Sequence, residues 1–255
     1  MLQNKRGIIF GVANRRSIAW AIAKASASAG ANLVITYQNE RLGEGVRELA
    51  ASLPGEIECL ECDLANDHNI EKTFMNVRER FGALDFLVHA VAFAKKEELE
   101  GNYLQTTREG FRLAHDISAY TFTAVAKAAA PLMEGRTGSM LTLTYLGAER
   151  VIPNYNVMGV AKAALEASVR YLANDLGPAG VRVNAISAGP IKTLASAGIN
   201  DFSRILDHHK SRAPLRKNTD ADEVADASVF LLSDKSRGIT GEIIHVDNGY
   251  SILGT

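Results

Sequence analysis

The 255-residue sequence predicts an α/β protein: a doubly wound, seven-stranded parallel sheet flanked by helices, in a single domain spanning 1–255. Three observations predict it. Short β-rich runs alternate with segments of helical periodicity along the whole chain. No Pro/Ser-rich linker, repeat or low-complexity tract divides it. Apolar residues form 47% and charged residues 22% of the chain, so one large core can be filled.

The expected strands are 7–12, 32–37, 56–63, 85–91, 138–144, 181–186 and 242–246. Between them, helical spacing covers 17–29, 40–52, 70–81, 107–133, 154–176 and 221–233. Strand, helix and strand in succession imply right-handed crossovers, hence a mostly parallel sheet. The stretch 191–210 fits neither period. It follows a strand, begins after Gly189-Pro190 and contains Gly198, so it reads as a mobile lid.

Several function classes lose support. Lys plus Arg total 28 against 29 acidic residues, a net charge of −1 with no basic footprint for nucleic acid. No apolar run reaches the roughly 18–20 residues that span a bilayer. Residues 1–6 lack the apolar stretch of a signal peptide, so the cytoplasm is the expected compartment. Cys59 and Cys62 form a C-x-x-C pattern, but within a strand, where side chains three apart point to opposite faces. They read as two unrelated thiols. The adjacent His208 and His209 diverge by about 100° on a helix, with no accompanying ligand set, and no metal is assigned.

The first strand runs into Gly11-Val12-Ala13-Asn14-Arg15-Arg16-Ser17-Ile18-Ala19 and then a helix. In a doubly wound sheet, this turn is where a dinucleotide pyrophosphate meets backbone N–H groups and a helix N-terminus. The usual G-x-G-x-x-G is absent, and a plain βα turn capped by Ser17 explains the same residues equally well. The second strand ends Thr36-Tyr37-Gln38-Asn39, where an adenosine ribose is read. Gln38 can bond ribose hydroxyls, and no Arg or Lys stands at 37–39 to neutralise a 2′-phosphate, although Arg41 is near. The third strand ends Cys62-Asp63-Leu64. Asp63 can accept from an adenine amino group with Leu64 against the ring, or it can cap the next helix. Four strand ends, at 11, 38, 63 and 91, converge on one crevice.

None of the seven tyrosines has a lysine four residues later. Tyr155 has Lys162 seven later, which is two helical turns on one face and roughly 10 Å along the axis. Together with Gly11-Val12-Ala13 and Ser17-Ile18-Ala19, His115-Asp116-Ile117-Ser118, Leu143-Thr144-Tyr145-Leu146-Gly147, Pro153 to Gly159 with Lys162, and Val183 to Ile191, this spacing carries a resemblance. The chain resembles the enoyl-acyl carrier protein reductases of the short-chain dehydrogenase type, almost end to end, as far as Gly241 to Asp247.

The resemblance implies a Rossmann-like fold, NADH as cofactor in preference to NADPH, an acyl carrier protein bearing the substrate, and a homotetramer. Gly11, Ser17, Ile18, Gln38, Asp63, Leu64, Val91 and Lys162 would hold the cofactor. Ile191, Lys192, Thr193, Leu194 and Ala195 would contact its carboxamide and pyrophosphate. Tyr155 would bond the developing enolate oxygen, a contact worth most in the transition state, while Lys162 holds the ribose hydroxyls. Tyr145 is a pocket wall or a proton-relay partner, and Ala94 lines the substrate site through its backbone. Many relatives carry Gly at position 92, and the Ala92 methyl would narrow the pocket there.

The wide Tyr–Lys spacing has a chemical rationale. In a ketone, charge develops on the oxygen next to the carbon that takes the hydride. In an enoyl thioester it develops on the thioester oxygen, a vinyl unit farther away. Moving the tyrosine one turn from the lysine lets it reach that oxygen while the lysine stays on the ribose. A carbonyl or alcohol dehydrogenase would need the four-residue spacing. A non-catalytic dinucleotide sensor would be expected to lose Tyr155 or Lys162.

Overall fold

The computed structural model describes residues 1–193, 196 and 199–254. The strands are β1 (Arg6–Phe10), β2 (Asn32–Tyr37), β3 (Ile57–Glu61), β4 (Phe86–His89), β5 (Ser139–Thr144), β6 (Arg182–Ala188) and β7 (Ile243–Val246). They form one sheet in the order β3-β2-β1-β4-β5-β6-β7, and each pairing is parallel. The strand order reverses at β1, which lies between β2 and β4. In such a sheet the crevice outside the carboxyl ends at that reversal is where a ligand fits.

The helices are α1 (Ile18–Ser28), α2 (Glu40–Ala50), α3 (Asp67–Phe81), α4 (Arg108–His115), α5 (Thr121–Met133), α6 (Asn156–Leu176), α7 (Phe202–Arg212) and α8 (Ala221–Leu232). Strand side chains alternate between the two faces of the sheet. Ile9, Leu33, Ile35 and Val88 accordingly pack against α1, α2 and α8, whereas Ile8, Phe10, Val34 and Leu87 pack against α3, α5 and α6. Such strands, buried on both faces, read as continuous apolar runs.

Two helical expectations are corrected. The span 107–133 is not a uniform helix: a π-turn at Asp116–Tyr120 separates α4 from α5. A π-turn widens the coil by one residue and re-aims the side chains within it. The stretch 191–210, expected to be irregular, contains the start of α7. Phe202, Ile205, Leu206 and His209 follow the helical i, i+3, i+4, i+7 spacing, and His209 is buried as the last member of that stripe. Counting His209 as polar hides the period.

The two cysteines are free. Burial pushes the Cys62 thiol up to about 11 and raises that of Cys59 as well, which suits inert thiols.

Candidate active site

The carboxyl ends of β1 to β4 open onto a cavity of about 850 Å³ that continues between β5, β6, α6 and α7. Gly11 follows β1 with φ 95°, and a Cβ there would lie 2.3 Å from the Ala90 carbonyl oxygen. Only glycine lets the chain leave β1 so close to the end of β4. Ser17 stands at the N-cap of α1 but does not cap it. Its hydroxyl donates to the Asn14 carbonyl at 2.6 Å and so closes the preceding turn. No side chain caps the start of α1, whose first residues Ile18 and Ala19 line the cavity, as an anion site requires.

Ile18, Gln38 and Leu64 also line this end. So does Asp63, whose Oδ1 accepts from the Ala65 amide at 3.2 Å. The cap of α3 is Asn66, which accepts from the His68 amide at 3.0 Å, so the capping alternative for Asp63 falls away. Arg41 is exposed and does not line the cavity.

Beyond β4 the chain passes through Val91 and Ala94, both cavity-lining. Two buried residues hold this segment, and neither was legible as a site residue. Ser118, inside the π-turn, accepts from the Phe93 amide at 3.0 Å and donates to the Phe93 carbonyl at 3.1 Å. His89 lies between the hydroxyls of Thr142 and Thr121 at 3.0 and 2.9 Å. Burial pushes its imidazole down to about 3, so it is neutral and ties β4 to β5 and α5.

Tyr155 departs from the expected picture of two residues on one regular helix. It is the N-cap residue of α6, not a residue within it, and its neighbours Asn154 and Asn156 have φ of 60° and 26°. Asparagine tolerates this left-handed region better than most residues. The Tyr155 ring meets Tyr145 edge-on at 5.0 Å and lies over Gly147, where an added Cβ would come 2.4 Å from the ring. Burial holds the Tyr155 phenol far above its usual range, with the neighbouring Tyr145 adding to the rise, and pushes the Tyr145 phenol up to about 12. Both are therefore protonated donors at neutral pH.

Lys162 projects from α6 into the same cavity, buried, with Nζ donating to the Leu143 carbonyl at 2.7 Å. Burial pushes its ammonium down to about 8. Around Tyr155 the wall is apolar, formed by Leu99, Leu113, Ile117, Met158, Ile199 and Phe202. Leu113, Ile117 and Met158 fall in the spans 107–133 and 154–176 read as helical, and helical spacing does not separate a cavity wall from the core.

Ile191 and Thr193 line the cavity, whereas Lys192 is exposed and outside it. Leu194, Ala195 and Gly198 lie outside the described residues. Among the described residues, no three His, Cys, Asp or Glu side chains are grouped to hold a metal ion.

The reversed parallel sheet, the glycine-tight turn at an open helix end, and a buried lysine with two protonated tyrosines on one cavity define a Rossmann-like, dinucleotide-binding class of oxidoreductase. The family model described as enoyl-(acyl carrier protein) reductase matches residues 11–251. The chain belongs to that family. It is 55% identical over 256 residues to the NADH-dependent enoyl-acyl-carrier-protein reductase of Bacillus cereus, covering 100% of this chain and 99% of that protein. The NADH-dependent counterpart of Bacillus subtilis is 55% identical over 253 residues, covering 98% and 97%. Among solved structures, the Bacillus cereus reductase with NADP+ and indole naphthyridinone superposes with a TM-score of 0.96 at 54% identity, covering 100% of this chain and 99% of that one. The Anaplasma phagocytophilum reductase in complex with NAD gives 0.95 at 51% identity, covering 100% and 96%.

Proposed function

We propose that the chain reduces the trans-2 double bond of enoyl thioesters carried on an acyl carrier protein, in the elongation cycle of fatty acid biosynthesis. The observation that carries this is the placement of Tyr155 and Lys162, both buried, on one cavity with an apolar wall. The residues fit a nicotinamide dinucleotide. The side-chain-free turn at Gly11 and the open end of α1 suit the pyrophosphate, and the buried ammonium of Lys162 suits ribose hydroxyls. When bound, NADH supplies the hydride for C3 of the enoyl group. The Tyr155 hydroxyl donates to the thioester oxygen as negative charge develops there. Lys162 holds the ribose and adds positive charge. Tyr145 packs edge-on against the Tyr155 ring and limits its orientation. The apolar wall takes the acyl chain and excludes water, which strengthens each of these contacts.

Loss of absorbance at 340 nm tests the reading directly. NADH is expected to be consumed with a crotonyl thioester and not with a panel of ketones. Consumption with ketones alone would make the protein a carbonyl reductase, and none with any acceptor would make it a sensor. NADH is expected to give the larger kcat/KM. Gln38 stands where a 2′-phosphate reader needs a bidentate guanidinium or an ammonium. A larger kcat/KM with NADPH would overturn this preference.

Residues 191–210 are proposed as the lid over the acyl chain, supported by Phe202 of α7 on the cavity wall. Arg204, two residues along and exposed, is proposed to meet the acidic carrier protein. Arg204→Glu is expected to raise KM for the carrier-bound substrate several-fold more than for a short coenzyme A thioester, most strongly at low salt. Equal changes in both KM values would place the docking surface elsewhere.

A homotetramer is part of the proposal. Phe111, Tyr120, Val160 and Tyr171 are exposed on and between α4, α5 and α6, the kind of surface that oligomers bury. The cytoplasm is the proposed compartment, in keeping with the two free thiols.

A further inference from the structure

Lys162 and Glu166 stand one turn apart on α6 and share a face of it. Both dock on consecutive residues at the end of β5. Lys162 Nζ donates to the Leu143 carbonyl at 2.7 Å, and Thr144 Oγ1 donates to Glu166 Oε1 at 2.7 Å. The two residues are almost equally buried, at 6% and 7% exposure. A buried ammonium is costly unless a charge and hydrogen bonds compensate it. One carbonyl bond does not meet that need.

The charged and titratable groups around the pair can be named. Burial lowers Lys162, and Glu166 is the group that opposes this fall. His89 also lies near Lys162, but it is neutral. Burial raises the Glu166 carboxyl and the Thr144 bond opposes that rise. Glu149 adds to it, while Arg170 of the same helix and His245 of β7 counter it. Glu149 and His245 pair with each other at 2.9 Å, and both are partly exposed. Tyr155 senses Glu166 as well as Tyr145. Glu166 itself does not line the cavity.

We propose that Glu166 is a positioning residue, anchored by Thr144, that keeps the Lys162 ammonium charged and turned toward the ribose of the nicotinamide nucleotide. The proposal rests on the assignment of Lys162 to that ribose. Without the carboxylate one turn away, the buried amine would shed its proton at a lower pH, and the contact would be lost earlier on the alkaline side.

The test is NADH affinity, read by fluorescence titration from pH 6 to 9.5 on the full-length protein and its variants. The wild-type dissociation constant is expected to rise as pH passes through about 8. In Glu166→Gln the rise is expected ~1 pH unit lower, so the ratio of variant to wild-type Kd is near one at pH 6, climbs severalfold to a maximum around pH 8, and falls again once the lysine is neutral in both proteins. Glu166→Asp restores most of the wild-type profile. Thr144→Val keeps the carboxyl but removes its anchor, and shifts the rise by less. It also serves as the variant of record if Glu166→Gln does not fold. A purely structural role would weaken binding equally at every pH. A Kd ratio independent of pH in both Glu166→Gln and Thr144→Val overturns the proposal. Wild-type NADH affinity in Lys162→Ala would instead overturn the ribose assignment on which it stands.

Discussion

Tyr155→Phe is expected to bind NADH as tightly as the parent protein and to lose turnover by about 10²–10³, the usual effect of removing one donor to a developing oxyanion. The substitution deletes one oxygen and keeps the ring. That ring is held edge-on by Tyr145 and packed among Leu99, Val157 and Met158, so the fold at the start of α6 should be unaffected. Because burial raises the phenol far above neutral pH, wild-type Tyr155 is a donor throughout the working range and the deleted group is a protonated hydroxyl. Its bond strengthens only as charge reaches the thioester oxygen, so the deficit should fall in kcat and not in cofactor binding. Steady-state kinetics on an enoyl thioester, paired with an NADH titration, separates the two. An unchanged kcat would transfer the donor role to Tyr145, which shares the cavity and is also protonated.

Lys162→Ala is expected to differ in kind. The ribose contact exists before any chemistry, so NADH affinity should fall as well as turnover. A hydrogen bond to a charged group contributes about 1.5–3 kcal/mol, which predicts a loss in affinity of roughly tenfold to a hundredfold. The loss should depend on pH with a definite sign. Lys162 is charged below about 8 and neutral above it. The gap between wild type and variant should therefore be widest on the acid side of that value and should narrow as pH rises past it. Lys162→Met, which keeps most of the length without the charge, distinguishes the lost ammonium from the space left by alanine. Equal NADH affinity in wild type and Lys162→Ala at pH 7 would remove Lys162 from the cofactor site.

Much of the site was legible because its parts are local. Gly11, Gln38, Asp63 and Val91 were placed by one rule, that the carboxyl ends of parallel strands meet at the strand reversal. That rule needs only the positions of strand ends along the chain. Tyr155 and Lys162 were legible through their spacing. Ser118, read only as part of a family motif, and His89, not read at all, act between segments far apart in the chain. Ser118 reaches the Phe93 backbone 25 positions away, and His89 reaches Thr142 across 53. No periodicity marks such pairs. Lys192, whose neighbours Ile191 and Thr193 both line the cavity, is exposed outside it, and nothing in the local pattern separates it from them.

The succession of elements and the chemistry they carry are written in the residue pattern of the chain. Seven apolar strand runs separated by amphipathic helices admit little besides a doubly wound parallel sheet, since right-handed crossovers leave few other topologies. The tertiary structure alone decided where within that frame the helices yield. The π-turn at Asp116–Tyr120 places Ser118 on the Phe93 backbone, a gain that no local propensity of those five residues encodes. His209 becomes the inward end of α7 because it stacks on Tyr250 at 4.9 Å, a contact 41 residues away in the chain. Lys162 acquires its lowered proton affinity, and Glu166 its raised one, only when α6 is pressed onto the end of β5 and water is excluded from both. Desolvation is a property of the assembled core, and a sequence read one segment at a time does not contain it.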